Sequence, residues 1–394
     1  MTVLLGFWAT PAAAEDLAAR IAAASAGDTV TLAPGTWSGP VVIDKPLTIQ
    51  GPADAVVDGG GTGTVIRITA PDVTLRGFTV RHSGIRQEDI DSGVFADKGA
   101  DRAVIEDLTV EDCLFGISLR GVKGAVARRD HVVGRSDLRV NERGDGFSVW
   151  NAPDSRIEDS IVSGGRDGIR STSTRGDAFL RNRFAGVRFA VHSMWGDQLD
   201  VEGNVSQGND LGFALMYSTA VRAVGNRSDH DRDHGILLNF TNRSQVVGNT
   251  VIGSEKCVFI YNANTNLLAE NRFEDCAIGV HFTAGSEGNR FTGNAFIANR
   301  TQVMYVGTRA LDWSWQGRGN YWSDNPAFDL DGDGIADQPY RPNDIVDRIV
   351  WAAPAAKLLL NSPAVAAVRF AQAQFPAVTP GGVVDSAPLM KPPG

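Results

Sequence analysis

The sequence predicts an all-β chain, a right-handed parallel β-helix, and three observations carry that expectation. The pattern Gly-apolar-x-apolar recurs, beginning at Gly93, Gly116, Gly146, Gly168, Ala190, Gly212, Gly235, Cys257, Gly279 and Gln302, and from Gly146 onward the steps are 22 or 23 residues. An independent row, Asn182, Asn204, Asn226, Asn249, Asn271 and Asn294, keeps the same period. Within each repeat the apolar residues alternate with a period of two, as in a strand that buries one face. A period near 22 with short strands, asparagines and glycines describes one coil of about three strands. Coils stack at about 4.8 Å, the ordinary strand spacing, so like residues form ladders. A leucine-rich repeat has a similar period, but its leucine pattern and helical segments are missing.

Residues 1–14, "MTVLLGFWATPAAA", join a short apolar run, Val3 to Ala9, to an Ala12-Ala13-Ala14 cleavage-like triplet. The positive leading region is missing, but the segment is signal-peptide-like and places the remainder in a periplasm. "EDLAARIAAASAGD" predicts a helix over Asp16 to Ala24, ending near Gly27. It serves as the N-terminal cap, because a solenoid needs its ends covered. Residues 15–310 form the β-helix, and "TVTLAPGTWSGPVVIDKPLTIQG" supplies its first coils. Arg81–Ser92 and Lys123–Asp145 break the period and are expected as loops leaving on one side. Residues 311–347 are an Asp-rich loop region, and 348–394 an irregular C-terminal extension that is either a cap or a docking segment. The three cysteines fit no metal spacing. Cys113 and Cys276 share a context, "EDCLFGI" and "EDCAIGV", so buried thiols are expected, although an oxidising compartment would allow one disulfide.

A net charge of −9 argues against a nucleic-acid partner. No window of about 20 apolar residues appears, so a membrane is reached only through partners. Ile117/Leu119, Phe147/Val149, Phe213/Leu215, Ile236/Leu238, Val258/Ile260 and Val280/Phe282 point inward, and their alternates point out. One outward ladder is Ser118, Ser148, Arg170, His192, Ala214, Leu237, Phe259, His281, Met304. The other is Arg120, Trp150, Thr172, Met194, Met216, Asn239, Tyr261, Thr283, Val306. His192 and Met194 thus share the outer face, with Met216 one coil away. Thioether and imidazole together suit Cu(I) better than Ca, Mg or Mn. Trp150, Trp195, Leu237, Phe259 and Tyr261 make the face apolar, which marks a partner surface. His230 and His234 in "SDHDRDHG" are either a metal or acid–base cluster or a solvated turn.

"DLDGDGIAD" places Asp329, Asp331, Asp333, the Ile335 carbonyl and Asp337 at the spacing of an EF-hand calcium loop. Tyr340 stands where the bidentate acid belongs, so Asp344 or Asp347 would have to substitute. A structural Ca²⁺ loop and a metal-free acidic turn both remain open. A rival class is a polysaccharide lyase or uronan epimerase, with Arg166, Arg170, Arg188 and Asp167 facing a uronate. The mostly apolar outer ladders and the negative net charge argue against it. A structural or adhesive solenoid is a third class.

The coils with "AVHSMW" and "LGFALMYS", then "GNYWSDNPAFDLDGDGIADQPYRPND", "RFAQAQFPAV" and "GGVVDSAPLM", resemble the NosD family, periplasmic maturation proteins of nitrous oxide reductase. The resemblance runs from about Glu15 to Pro393. One departure is Ser193, where an aromatic is expected; His192 and Met194 remain. The resemblance implies a non-catalytic accessory protein that works with an ABC transporter (an ATPase plus a membrane subunit) and a copper-carrying lipoprotein. Copper, carried transiently as Cu(I), would be delivered for the copper–sulfide centre of nitrous oxide reductase. Met194 and Met216 would be the thioether ligands and His192 the nitrogen ligand.

Overall fold

A computed structural model describes residues 15–307, 309–360, 362–374 and 381–393. The signal-peptide-like segment lies outside them. The coils form a parallel β-solenoid with three sheets, one of 14 strands (sheet 1) and two of 12 (sheets 2 and 3). One coil shows the plan: Phe189–Met194 lies in sheet 2, Asp200–Glu202 in sheet 3 and Val205–Gln207 in sheet 1, and Leu211–Met216 begins the next coil in sheet 2. Corners turn through left-handed residues such as Gln198 (φ 54°) and Gly203 (φ 64°). Inward side chains such as Val191, Phe213, Ile236 and Val258 are almost wholly buried and stack into one continuous core. That burial is the main stabilising term, since a three-residue strand has little stability of its own.

The two periodic rows have separate physical causes. A side chain at Gly168 would press on Phe184 and on the carbonyl of Ala190 in the next coil, so the glycine row marks close approach of successive backbones. The asparagine row is a buried hydrogen-bond ladder. Asn204 donates its backbone N–H to Asn226 Oδ1 at 3.0 Å, and its side-chain amide donates to the Phe179 carbonyl at 2.8 Å. Each asparagine so satisfies a buried N–H at the corner and adds a donor to a carbonyl of a sheet 3 strand.

Both ends are covered. Helix α1 (Leu17–Ala23) is capped by Asp16, which accepts the Ala19 N–H at 3.1 Å, and Leu17 and Ile21 bury its inner face. Sheet 1 runs on past residue 310 to Tyr321–Trp322. There the asparagine ladder ends on Asn320, whose N–H is taken by Asp385 at 2.7 Å. Asp385 also accepts the Trp322 indole N–H at 2.8 Å, and Val383–Val384 pairs with Leu311–Asp312. The tail around 383–390 is therefore a C-terminal cap. Helices α2 (Ile345–Ala352) and α3 (Pro363–Gln374) share an apolar cleft lined by Val346, Val350 and Val365.

Two expectations need correction. Lys123–Asp145 is not one loop: Val126–Arg128 and His131–Gly134 are regular coil strands, with Ala127 and Val132 buried, and the chain leaves the solenoid only at Arg135. The inward period simply continues until then. The cysteines are not three thiols either. Cys257 and Cys276 form a disulfide with their Cα atoms 5.7 Å apart, and Cys113 stays free and buried. The place facing Cys113 is held by Gly93, whose Cβ would lie 3.3 Å from its Sγ. Burial pushes the Cys113 thiol up to about 12.

Candidate metal centre

The long strands of sheet 2 present the outward ladders in register. Arg170 pairs with His192 and His192 with Ala214; Thr172 pairs with Met194 and Met194 with Met216. The two methionines therefore sit on adjacent rungs, about 4.8 Å apart along the stack. Both are half-buried.

His192 projects from the outer face but is only 8 % exposed. Phe189 sets its ring at 83° to the imidazole, with centroids 4.8 Å apart. Nδ1 lies 3.0 Å from Oδ2 of Asp167, one coil back. Asp167 is fully buried and also receives two hydrogen bonds from Arg188, both 2.8 Å. Burial pushes the Asp167 carboxyl up, but the hydrogen bonds from His192 and Arg188 outweigh it and hold the group below the ordinary carboxylate range. An ionised Asp167 accepts only, so Nδ1 carries the proton and Nε2 keeps its lone pair. A carboxylate behind an imidazole is the usual outer partner of a metal-ligating histidine.

Beside the methionines runs an aromatic ladder. Trp195 stacks on Tyr217 with centroids 5.7 Å apart, Tyr217 on Phe240 at 5.1 Å, and Phe240 meets Tyr261 edge-on at 5.8 Å. Their exposures are 52, 44, 38 and 42 %. Trp195, Tyr217 and Phe240 each occupy left-handed backbone, which bulky residues rarely adopt. Tyr217 and Phe240 escape a strand-by-strand reading because they lie one residue beyond the strands. Their signal is the coil period itself, counted from Trp195.

The remaining candidates separate. Trp150 lies apart from this ladder, under the Arg120 guanidinium at 4.9 Å. Leu237 and Phe259 are half-buried. Phe259 sits between the imidazoles of His234 and His281, at 5.3 and 4.7 Å. Burial, and then Lys256, lowers both imidazoles, His234 to about 4. His230 is exposed and bound to Asp229 at 2.6 Å, so "SDHDRDHG" does not gather its histidines.

In the acidic loop, Asp329, Asp331 and Asp333 bring one oxygen each within 4.8 Å of one another. Asp329 accepts the Gly332 and Gly334 N–H groups, and Asp337 accepts the Leu330 N–H at 3.0 Å. Asp344 and Asp347 do not stand in for the missing twelfth ligand. They cap each other's backbone at the start of α2. Tyr340 instead donates its hydroxyl to Asp324 at 2.8 Å. The loop so keeps three converging carboxylates, and Asp337 and Ile335 serve its own fold; Ile335 bridges to Leu389 of the C-terminal cap.

Comparison with known proteins adds the following. A family model described as "Periplasmic copper-binding protein (NosD)" matches residues 128–327. The chain is 38 % identical over 377 residues to the "Probable ABC transporter binding protein NosD" of Pseudomonas aeruginosa, covering 92 % of this chain and 88 % of that one. It is 35 % identical over 372 residues to the protein of the same description from Stutzerimonas stutzeri, covering 91 % and 85 %. Among solved structures, the catalytic unit of a GH87 alpha-1,3-glucanase from Streptomyces thermodiastaticus is similar with a TM-score of 0.59 at 15 % identity, over 79 % of this chain and 66 % of that one. That likeness speaks for the fold alone.

Proposed function

This chain belongs to the NosD family of periplasmic copper-binding proteins, and from that premise we propose that it relays Cu(I), with an ABC transporter, to the assembly of the copper–sulfide centre of nitrous oxide reductase. The relatives are named as binding proteins for such a transporter, not as enzymes. Copper is cargo here. The observation that carries the reading is His192, held through Nδ1 by a buried carboxylate, with Met194 and Met216 on adjacent rungs beside it. One imidazole and two thioethers are a soft, neutral set that suits Cu(I). Three ligands leave a position for a donor or acceptor to enter. The exposed stack of Trp195, Tyr217, Phe240 and Tyr261 offers the docking surface for the copper-carrying lipoprotein or the reductase. The enzyme alternative needs a base and a cation facing a sugar; Asp167 and Arg188 are instead spent on each other.

An anaerobic titration of the purified chain with Cu(I), against a competing chelator, tests the site. One saturable site is expected, lost when Met194→Leu and Met216→Leu are combined. These near-isosteric changes cost less than about 1.5 kcal/mol each, so the fold should persist. Absence of binding by the isolated wild type would refute a self-sufficient site on this chain.

A further inference from the structure

The two insertions, His82–Asp91 and Arg135–Asp145, leave the solenoid at the same corner, each between a sheet 1 strand and a sheet 2 strand. They are tied together, Gln87 Nε2 donating to the Asn141 carbonyl at 3.3 Å. Gln87 and Ile90 of the first and Asp145 of the second border an open cavity of about 390 Å³ on the outer face of sheet 2, just N-terminal to the methionines. Such a volume lies in the range of small-molecule sites.

The charge inside is unbalanced. Arg120, Arg166 and Arg170 line the cavity with one acid, Asp145. Arg166 binds Asp145 through two hydrogen bonds of 3.1 Å, which neutralises that pair. Arg120 and Arg170 are half-buried, and neither makes a direct ion pair with a carboxylate among the described residues; Arg170 feels Asp145 only through space. Asp97, the acid that acts on Arg120 through space, is held by Arg67 at 2.7 Å. Two partly desolvated guanidiniums thus repel each other across one chamber, in a chain whose net charge is −9. Half-buried guanidiniums whose N–H groups meet no carboxylate directly favour an anion that completes them. Trp150, against which Arg120 lies, and Ile90 supply apolar surface to the same lining. Ile90 holds φ at 55°, an outlier for a β-branched residue of the kind that gathers at ligand clamps.

We propose that this cavity binds a small organic acid carrying two carboxylates, one on Arg120 and one on Arg170, with its carbon skeleton against Trp150 and Ile90. The planar fork of each guanidinium matches a carboxylate bidentately. The two arginines stand two coils apart, about 10 Å along the stack, which separates two acid groups rather than clamping one. The apolar surface and the volume favour an organic skeleton over an inorganic oxyanion. The carboxylates could belong to a free organic acid or to a pair of linked uronic acids, and both present the same chemistry to the site.

Calorimetry on the full metal-free chain, with citrate, digalacturonate and inorganic sulfate as separate probes, decides the matter. Saturable one-site binding of citrate or digalacturonate is expected, and whichever binds identifies the source. Arg120→Gln and Arg170→Gln should each weaken it about tenfold or more, the loss of a charged hydrogen-bond pair. Arg170→Lys, which keeps the charge and loses the fork, should fall between. The Met194→Leu/Met216→Leu protein should bind the acid as the wild type does, so failure of the copper site and failure of this one are distinguishable. The proposal is overturned if neither carboxylate binds at millimolar concentration, if binding survives both glutamine variants, or if sulfate binds as tightly.

Discussion

Asp167 is the residue on which the outer face turns. It is fully buried, yet two hydrogen-bond donors converge on it: the Arg188 guanidinium at 2.8 Å and the His192 imidazole at 3.0 Å. Asp167→Asn would keep the shape and remove the charge. Breaking one side of a buried charged cluster costs about 3 kcal/mol or more, measurable as a lower urea midpoint. It would also free the His192 tautomer, and copper affinity should drop about 10- to 100-fold. Unchanged affinity in a folded Asp167→Asn protein would remove His192 from the ligand set. The ladder position of His192 was legible from the coil period. Its carboxylate was not, because the pair spans 25 residues and depends on which way two side chains turn.

At the scale of elements, ladders running along the stack replace the long strands of an ordinary sheet. Asn226→Ala would strand the backbone N–H of Asn204 and one N–H of its side-chain amide, both buried. Leaving two such groups unpaired costs about 2–5 kcal/mol, and denaturant unfolding would show it. A drop of less than about 1 kcal/mol would mean that water replaces the amide. The disulfide works differently. Cys257 and Cys276 are 19 residues apart, and opening a loop of that size costs about 3 kcal/mol, through the unfolded chain. Cys257→Ala with Cys276→Ala should lower the melting temperature, and an unchanged melting temperature would mean that the stacked coils already supply that restraint. Which cysteines pair was hidden in sequence: Cys113 and Cys276 share their flanking residues, and only the stacking shows that Gly93 faces one while Cys257 faces the other.

Across the whole molecule, buried carboxyls set the response to pH. Burial raises Asp145 to about 6 and Asp177 to about 7, with Asp130, Asp231 and Asp385 raised as well. The folded chain holds these protons where the unfolded chain, with ordinary values near 3.8, has released them. Stability from this source is therefore greatest below the unfolded value and declines as pH rises through about 6 and about 7. His234 and His281 oppose the trend, since their folded values are lowered and they gain as pH rises toward 6.5. The values of Asp145 and Asp177 fall between pH 5 and pH 8, and their loss sets the sign there, so the urea midpoint should be higher at pH 5 than at pH 8. The reverse order would mean that these aspartates are hydrated in solution.

The amino-acid sequence by itself determined the solenoid, its outward ladders and its helical N-terminal cap. Those follow from residues repeated at one period, and a parallel stack turns period directly into neighbourhood. Tertiary structure alone decided what lies off that lattice. Asp385 seals the last rung from 65 residues away, two insertions meet through a contact spanning 54 residues beside a charged open cavity, and Asp344 and Asp347 turn to a helix start instead of the acidic loop. These contacts join segments that share no repeat, so their meeting depends on where the folded coils bring the chain and not on any spacing along it.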